Sequence, residues 1–179
     1  MHLTESYVSI NTSVIDGNNV NSKGGAFYVL SEKLSIYMCE FAQNKVRLDD
    51  GAIFASETHT EVHTSEFITN EAGHDGGAVS ITDHDYVTVS IMIKRSMFKN
   101  NKADGGAAIS MMKVATAVND CDFFWQQSWN GSASESNINL SGSITVANNI
   151  GSVFLFNSEL KFNIRMLLSY QQFFSRYAQ

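Results

Sequence analysis

Apolar and polar residues alternate in short stretches along most of this chain. In segments such as "LSIYMCEF" at 34–41 and "AVSIT" at 78–82, single polar residues interrupt short apolar stretches. A period of two places the two kinds of side chain on opposite faces of a β-strand, whereas a helix requires a period near 3.6. The pattern therefore predicts an all-β protein built from short strands.

One phrase of apolar, small, large and amide residues returns at regular intervals. Its first copy runs from Val8 to Asn18, and a glycine-containing phrase and an alanine follow each of the first five copies. The alanines lie 26 to 29 residues apart, at Ala26, Ala52, Ala78, Ala107 and Ala133. A sixth, more diverged copy covers 138–148. A phrase that recurs so regularly indicates a structural unit rather than a single site.

A unit of this length is too small to bury its own apolar face, but stacked copies form a continuous core. The repeat therefore predicts a parallel β-solenoid of about six coils over residues 1–156. Residues 157–179 lose the repeat. We interpret them as a cap over the last coil or as a diverged coil. The cap would be helical if one face is lined by Leu160, Ile164, Leu167 and Leu168.

Stacking turns each repeat position into a column of side chains. The large position predicts an inward phenylalanine column, which consists of Phe41, Phe67, Phe98 and Phe123. The small position beside it alternates serine with Cys39 and Cys121, so we interpret these cysteines as packing residues. The alignment places them in coils that are too far apart for a disulfide.

The amide and glycine positions predict two further columns at the corners of the coils. The asparagine column consists of Asn18, Asn44, Asn70 and Asn101. Amides at one corner can hydrogen-bond to each other and to the turn backbone, and asparagine tolerates left-handed geometry. The glycine column consists of Gly25, Gly51, Gly77 and Gly106. Glycine there allows a positive φ or a close approach between coils.

Charge and hydropathy narrow the classes of partner. The formal net charge is −6 and no basic run exceeds "IKR", which argues against nucleic acid as a partner. No apolar run approaches the roughly 20 residues of a transmembrane helix, so we expect no membrane span in this chain. The polar start "MHLTESYVSINTS" is unlike a signal peptide, and the repeats favour a fragment of a larger secreted or surface protein.

Three aspartates precede the glycine phrases and form a candidate calcium site. They are Asp49, Asp75 and Asp104. Carboxylates about 5 Å apart on successive coils would repel each other, and a hard cation would relieve the repulsion. The alternative is that aspartate simply suits turns, and we expect no metal or other cofactor.

Other candidate chemistry is weaker. His59 and His63 have the spacing of a helical metal pair, but on a strand they lie about 13 Å apart and cannot share an ion. Asp83, His84 and Asp85 form an acidic loop that general acid–base catalysis could use, although the acids are not repeated on neighbouring coils. We therefore expect no catalytic residues.

The phrase Phe-x-x-Asn followed by Gly-Gly-Ala and an aliphatic residue resembles the repeats of chlamydial polymorphic outer membrane proteins. The first half matches at 41–44, 67–70 and 98–101, the second at 24–26, 76–78 and 105–107, and "DGAI" at 50–53 is a near match. The resemblance implies a right-handed parallel β-helix of the pectin-lyase-like kind. It also implies display on a cell surface, with adhesion as the usual role.

The expected function is therefore that of a non-catalytic, adhesin-type surface module located at the cell surface or outside the cell. Its partner would be a glycan or a protein on a cell surface. We expect binding at the loops 83–90 and 127–137, which interrupt the repeat, with Trp125 and Trp129 beside the second loop. The alternative is a polysaccharide lyase or glycoside hydrolase of the same fold, or an inactive relative.

Overall fold

The computed structural model describes residues 1–4, 7–48, 50–83, 89–112 and 114–127, and the backbone of four strands between 138 and 162. All regular elements in these residues are β-strands, so the predicted all-β class is confirmed. None of the described residues forms a helix of the length and apolar character needed to cross a membrane.

The strands are short and follow one another in a repeating order. The first nine are β1 (His2–Leu3), β2 (Tyr7–Asn11), β3 (Val14–Asp16), β4 (Asn19–Val20), β5 (Phe27–Leu30), β6 (Lys33–Tyr37), β7 (Glu40–Ala42), β8 (Lys45–Val46) and β9 (Ile53–Ser56). The next eight are β10 (His59–His63), β11 (Glu66–Ile68), β12 (Val79–Thr82), β13 (Ser90–Lys94), β14 (Met97–Lys99), β15 (Ile109–Met112), β16 (Ala115–Asn119) and β17 (Asp122–Phe124). The last four are β18 (Ile138–Leu140), β19 (Ser143–Ala147), β20 (Phe154–Leu155) and β21 (Glu159–Phe162).

The strands form three long parallel sheets and one two-stranded sheet. The first sheet has the order β1-β5-β9-β12-β15-β18-β20, the second β2-β6-β10-β13-β16-β19-β21, and the third β3-β7-β11-β14-β17. The short sheet pairs β4 with β8. Neighbouring strands of a sheet come from successive turns of the chain, so the predicted parallel β-solenoid is confirmed.

The number of turns is smaller than the repeat predicts. About four turns follow one another from β2 to β15, whereas the repeat predicts about six coils. The strands β16, β17 and β18 then pass through the second, third and first long sheets in the same way, and β19 to β21 extend the first two sheets. β21 pairs with β19 and contains Leu160, so a helical face that includes Leu160 is wrong. Residues 163–179 lie outside the described residues.

The phenylalanine column forms a stack of parallel rings inside the solenoid. Successive ring centroids lie 5.0, 4.8 and 4.9 Å apart, and the ring planes differ by only 3° to 9°. Phe41, Phe67 and Phe98 are fully buried, and Phe123 is 4% exposed. Because the rings lie in the third sheet at the same register, each stacked pair adds about 0.5–1.5 kcal/mol to the burial of the rings.

Two corners of each turn are made by one residue in the left-handed region. Between the second and third sheets these residues have φ of 47° to 55° and are Thr12, Met38, Thr64, Arg95 and Asp120. After the third sheet they have φ of 52° to 67° and are Gly17, Gln43, Thr69, Asn100 and Trp125. The second set directly precedes the amide residues, so the left-handed residue is the neighbour of the column asparagine and not the asparagine itself.

The asparagine column forms a continuous line of hydrogen bonds. Each Nδ2 group donates to the Oδ1 atom of the next coil, over 2.8 Å from Asn18 to Asn44, 3.0 Å from Asn44 to Asn70 and 3.0 Å from Asn70 to Asn101. Each of these Oδ1 atoms also accepts a hydrogen bond of 3.0–3.2 Å from the backbone N–H of the preceding asparagine. The column therefore links main chain and side chains along the whole corner.

The asparagine column is also tied to the phenylalanine column. Asn70 Nδ2 donates to the carbonyl oxygen of Phe41 at 2.8 Å, so this fully buried amide uses all four of its hydrogen-bonding positions. Gln126 takes the place of the asparagine in the coil that follows Asn101. Its Nε2 donates to the carbonyl oxygen of Phe98 at 2.7 Å, and its Oε1 accepts from the N–H of Asn101 at 3.0 Å.

The glycine phrases serve two purposes. One is a left-handed turn with φ of 55° to 61°, found at Gly24, Gly76 and Gly106. The other is close approach between coils. A Cβ atom at Gly51 would lie 2.3 Å from the carbonyl oxygen of Gly76, and one at Gly77 would lie 2.3 Å from the carbonyl oxygen of Ala107. At Gly25 there is more room, since the atoms nearest to a Cβ would lie 3.3 Å away.

The fourth turn departs from the alignment on Ala107. Val79 pairs with Ile109, so Ala107 lies one position before the alanines of the other turns. The stretch from the asparagine column to the strand is one residue shorter in this turn, and the core decides the register because Ile109 must lie over Val79. Gly106 therefore takes the place of Gly76, and the sequence alignment is wrong by one residue here.

We expect Phe67→Ala to lower the free energy of unfolding by about 3–5 kcal/mol, because it leaves a cavity in the middle of the ring stack. Urea unfolding followed by circular dichroism measures the loss. Tyr37→Ala is the control, since this ring is 50% exposed on the outside of the second sheet and its removal should cost under about 1 kcal/mol. Equal losses in the two variants would contradict the stacking.

We expect Asn70→Ala to destabilise the chain by about 3 kcal/mol or more, because the carbonyl of Phe41 and the amide of Asn44 lose buried partners. Asn18→Ala is the matched control at the exposed end of the column, where we expect a loss of about 1 kcal/mol or less. Chemical denaturation of both variants tests the difference, and a larger effect at Asn18 would refute it.

Candidate functional site

The cysteines are packing residues. Both are free and buried, as the repeat predicts. The thiol of Cys121 donates to the carbonyl oxygen of Asn119 at 3.2 Å. Burial in the core raises the pKa of Cys121 from 9.0 to about 12, and the backbone hydrogen bonds oppose this rise only in part. A thiol that stays protonated is a poor nucleophile and a poor metal ligand.

The two described aspartates of the candidate calcium site, Asp75 and Asp104, are not in register. Asp49 lies outside the described residues, and Asp104 is exposed. The residue in register with Asp75 is Gly105, because the fourth turn is shortened, so Asp104 lies one position earlier. Burial raises the pKa of Asp75, nearby His74 lowers it, and Asp104 raises it further. Among the described residues, no three histidine, cysteine or acidic side chains are grouped so as to hold a metal ion.

The other candidates for chemistry are separated. His59 and His63 lie on the same outward face of β10, at opposite ends of the strand, as the repeat predicts. The Nδ1 atom of His59 accepts a hydrogen bond from the backbone N–H of Ser90 at 3.0 Å. Asp83 is only 2% exposed, and His84 and Asp85 lie outside the described residues. The two histidines are therefore separated by the length of β10, and Asp83 is the one described residue of the candidate acidic loop.

Trp125 is a highly exposed side chain beside the second predicted binding loop. It follows β17, has a φ of 52°, and is 70% exposed at the corner that precedes Gln126. Its ring centroid lies 6.1 Å from that of Phe124, with 47° between the planes. The Nζ atom of Lys99 lies 5.3 Å from the centroid of the Trp125 ring, which is a cation–π distance.

We call this surface the Trp125 corner and define it by Lys99, Asn100, Phe124, Trp125 and Gln127. Lys99 and Phe124 are paired neighbours in the third sheet. Asn100 occupies the left-handed position of Trp125 one turn earlier, and Gln127 is exposed beyond the asparagine column. Trp129 and most of the loop 127–137 lie outside the described residues. The corner combines one exposed aromatic ring with a cation and two amides.

Sequence reasoning singled out Trp125 but missed Lys99. The two residues lie in successive coils. Lys99 lies two positions before Asn101, and Trp125 lies one position before Gln126. Only the columns of the solenoid reveal such a neighbour, because 26 residues separate Lys99 from Trp125 along the chain. A column alignment of the outward positions would have found it. No match to this chain was found among protein-family models, curated proteins or solved structures.

We expect Cys121 to react very slowly with Ellman's reagent in the folded chain at about pH 8. A pKa of about 12 instead of 9.0 lowers the fraction of thiolate by about a thousandfold. The measurement uses Cys39→Ser, so that Cys121 is the sole thiol, in buffer and in urea. A reaction that is equally fast in both would show that the thiol is not held in the core.

Proposed function

We propose that this chain is a non-catalytic surface module that attaches to a glycan or a protein on a cell surface. The observation that carries the proposal is the 70% exposure of Trp125 on the outside of a rigid corner. Exposed aromatic residues are common anchors of recognition surfaces, because covering them with a partner removes a large apolar area from water.

The frame behind Trp125 supports this proposal. Phe123 is held in the ring stack two residues earlier, and Gln126 is held by hydrogen bonds directly after it. The backbone that carries Trp125 is therefore fixed on both sides before any partner arrives. A preorganised anchor loses little conformational entropy on binding.

The repeat phrases support a more specific proposal about the origin of the module. They resemble those of chlamydial polymorphic outer membrane proteins, in which a right-handed, pectin-lyase-like β-helix is displayed on the cell surface. We therefore assign this chain to the cell surface or the extracellular space, as part of a larger protein that serves adhesion.

The test is saturable binding of the fluorescently labelled chain to live cells of several kinds. We expect Trp125→Asn to weaken binding by about tenfold or more, as for an aromatic hot spot. Asparagine already occupies this left-handed corner at Asn100, so the backbone should be retained. Tyr37→Asn is the control, since it removes an exposed ring from the second sheet. Binding that is unsaturable or unaffected by Trp125→Asn would refute the proposal.

A further inference from the structure

We propose that the Trp125 corner takes an acidic polysaccharide, one that carries carboxylate or sulfate groups. This inference rests on the proposed function and names the class of its partner. Its starting point is the Lys99 ammonium group 5.3 Å from the centre of the Trp125 ring. A stacking surface and a positive charge are thereby held together at one exposed position.

The aromatic part of the corner suits a sugar ring. The face of an aromatic ring is electron-rich, and the C–H groups of a pyranose present a complementary, weakly positive surface. Lys99 lies over Trp125, yet the tryptophan side chain is still 70% exposed, so much of the ring remains open to a second group.

The polar part of the corner favours a glycan over a protein. Protein hot spots sit at the centre of contiguous, well-packed patches from which water is excluded. Among the described residues around Trp125, Lys99, Asn100 and the exposed Gln127 are polar, and Phe124 is the other aromatic ring. Amide and ammonium groups beside an exposed aromatic ring match the hydroxyl and acid groups of a sugar.

Charge favours an acidic glycan. Lys99 and Lys102 flank the corner from the preceding coil, and Lys102 pairs with Gln127 through the backbone. On the outward face of β17 the acid is Asp122, which lies two residues before Phe124 and so about 7 Å from it along the strand. The net charge of the chain is −6, which repels polyanions in general, so a polyanion should bind only at a local positive site.

The test compares heparin, polygalacturonate and uncharged dextran as ligands of the full chain at low and physiological salt. We expect heparin, polygalacturonate or both to bind, and dextran to bind at least tenfold more weakly. Lys99→Gln should weaken binding of the acidic polymer about threefold to tenfold and reduce its salt dependence. Trp125→Asn should weaken it by about tenfold or more.

Matched controls separate the corner from general charge. Lys94→Gln removes one positive charge from the outward face of the second sheet and should leave binding unchanged. Lys99→Arg keeps the charge and the contact with the ring, and should restore affinity. Thermal unfolding of each variant checks that the fold is retained. An equal loss in Lys94→Gln and Lys99→Gln would overturn the inference, because it would mean that net charge alone decides binding.

The outcomes also separate this inference from the proposed function. If the chain binds cells through Trp125 but binds dextran as well as heparin, the acidic class is refuted and the surface role stands. If the acidic polymers bind and Lys99→Gln has no effect, the assignment of the charge to Lys99 is overturned. If neither cells nor polymers bind, both proposals fall.

Discussion

Stacking of coils at the spacing of hydrogen-bonded strands is the constraint on which the rest of this structure depends. A residue inside the solenoid lies about 4.8 Å below the equivalent residue of the next turn and the same distance above that of the preceding turn. It must therefore interact well with copies of itself. Phenylalanine does so by offset stacking of rings, and asparagine does so by donating from one side of its amide while accepting on the other.

The same constraint explains the unusual backbone of the corners. Non-glycine residues in the left-handed region cost free energy, and Thr69 and Trp125 are poor candidates for it by local preference. At Thr69, however, the N–H group of the turning residue donates to the carbonyl oxygen of Lys99 in the next coil at 2.8 Å, and Gln43 and Asn100 make the equivalent bonds to Ile68 and Phe124. Hydrogen bonds repeated from coil to coil thus hold turns that a single coil would not keep.

Most of the interior could be predicted from the sequence, because columns of identical residues leave a periodic signal. The stacked rings and the linked amides were both visible as recurrences at Phe67 and Asn70. The errors lie where the period changes: the short fourth turn shifted Gly106 by one position and broke the expected row that included Asp104. The contact between Lys99 and Trp125 escaped notice because outward residues need not repeat, so only the register set by the inward columns reveals it.

Inward residues repeat from coil to coil and outward residues vary, and this difference indicates where function can reside. At the corner after the third sheet, the inward amide keeps its type from coil to coil, while the residue before it changes from Gly17 to Gln43, Thr69, Asn100 and finally Trp125. The amide is restricted by its bonds to the coils on both sides, whereas the side chain of its neighbour projects outwards. A tryptophan can therefore be accommodated there without disturbing the column, and the ring stack and the amide line hold the backbone on either side of it.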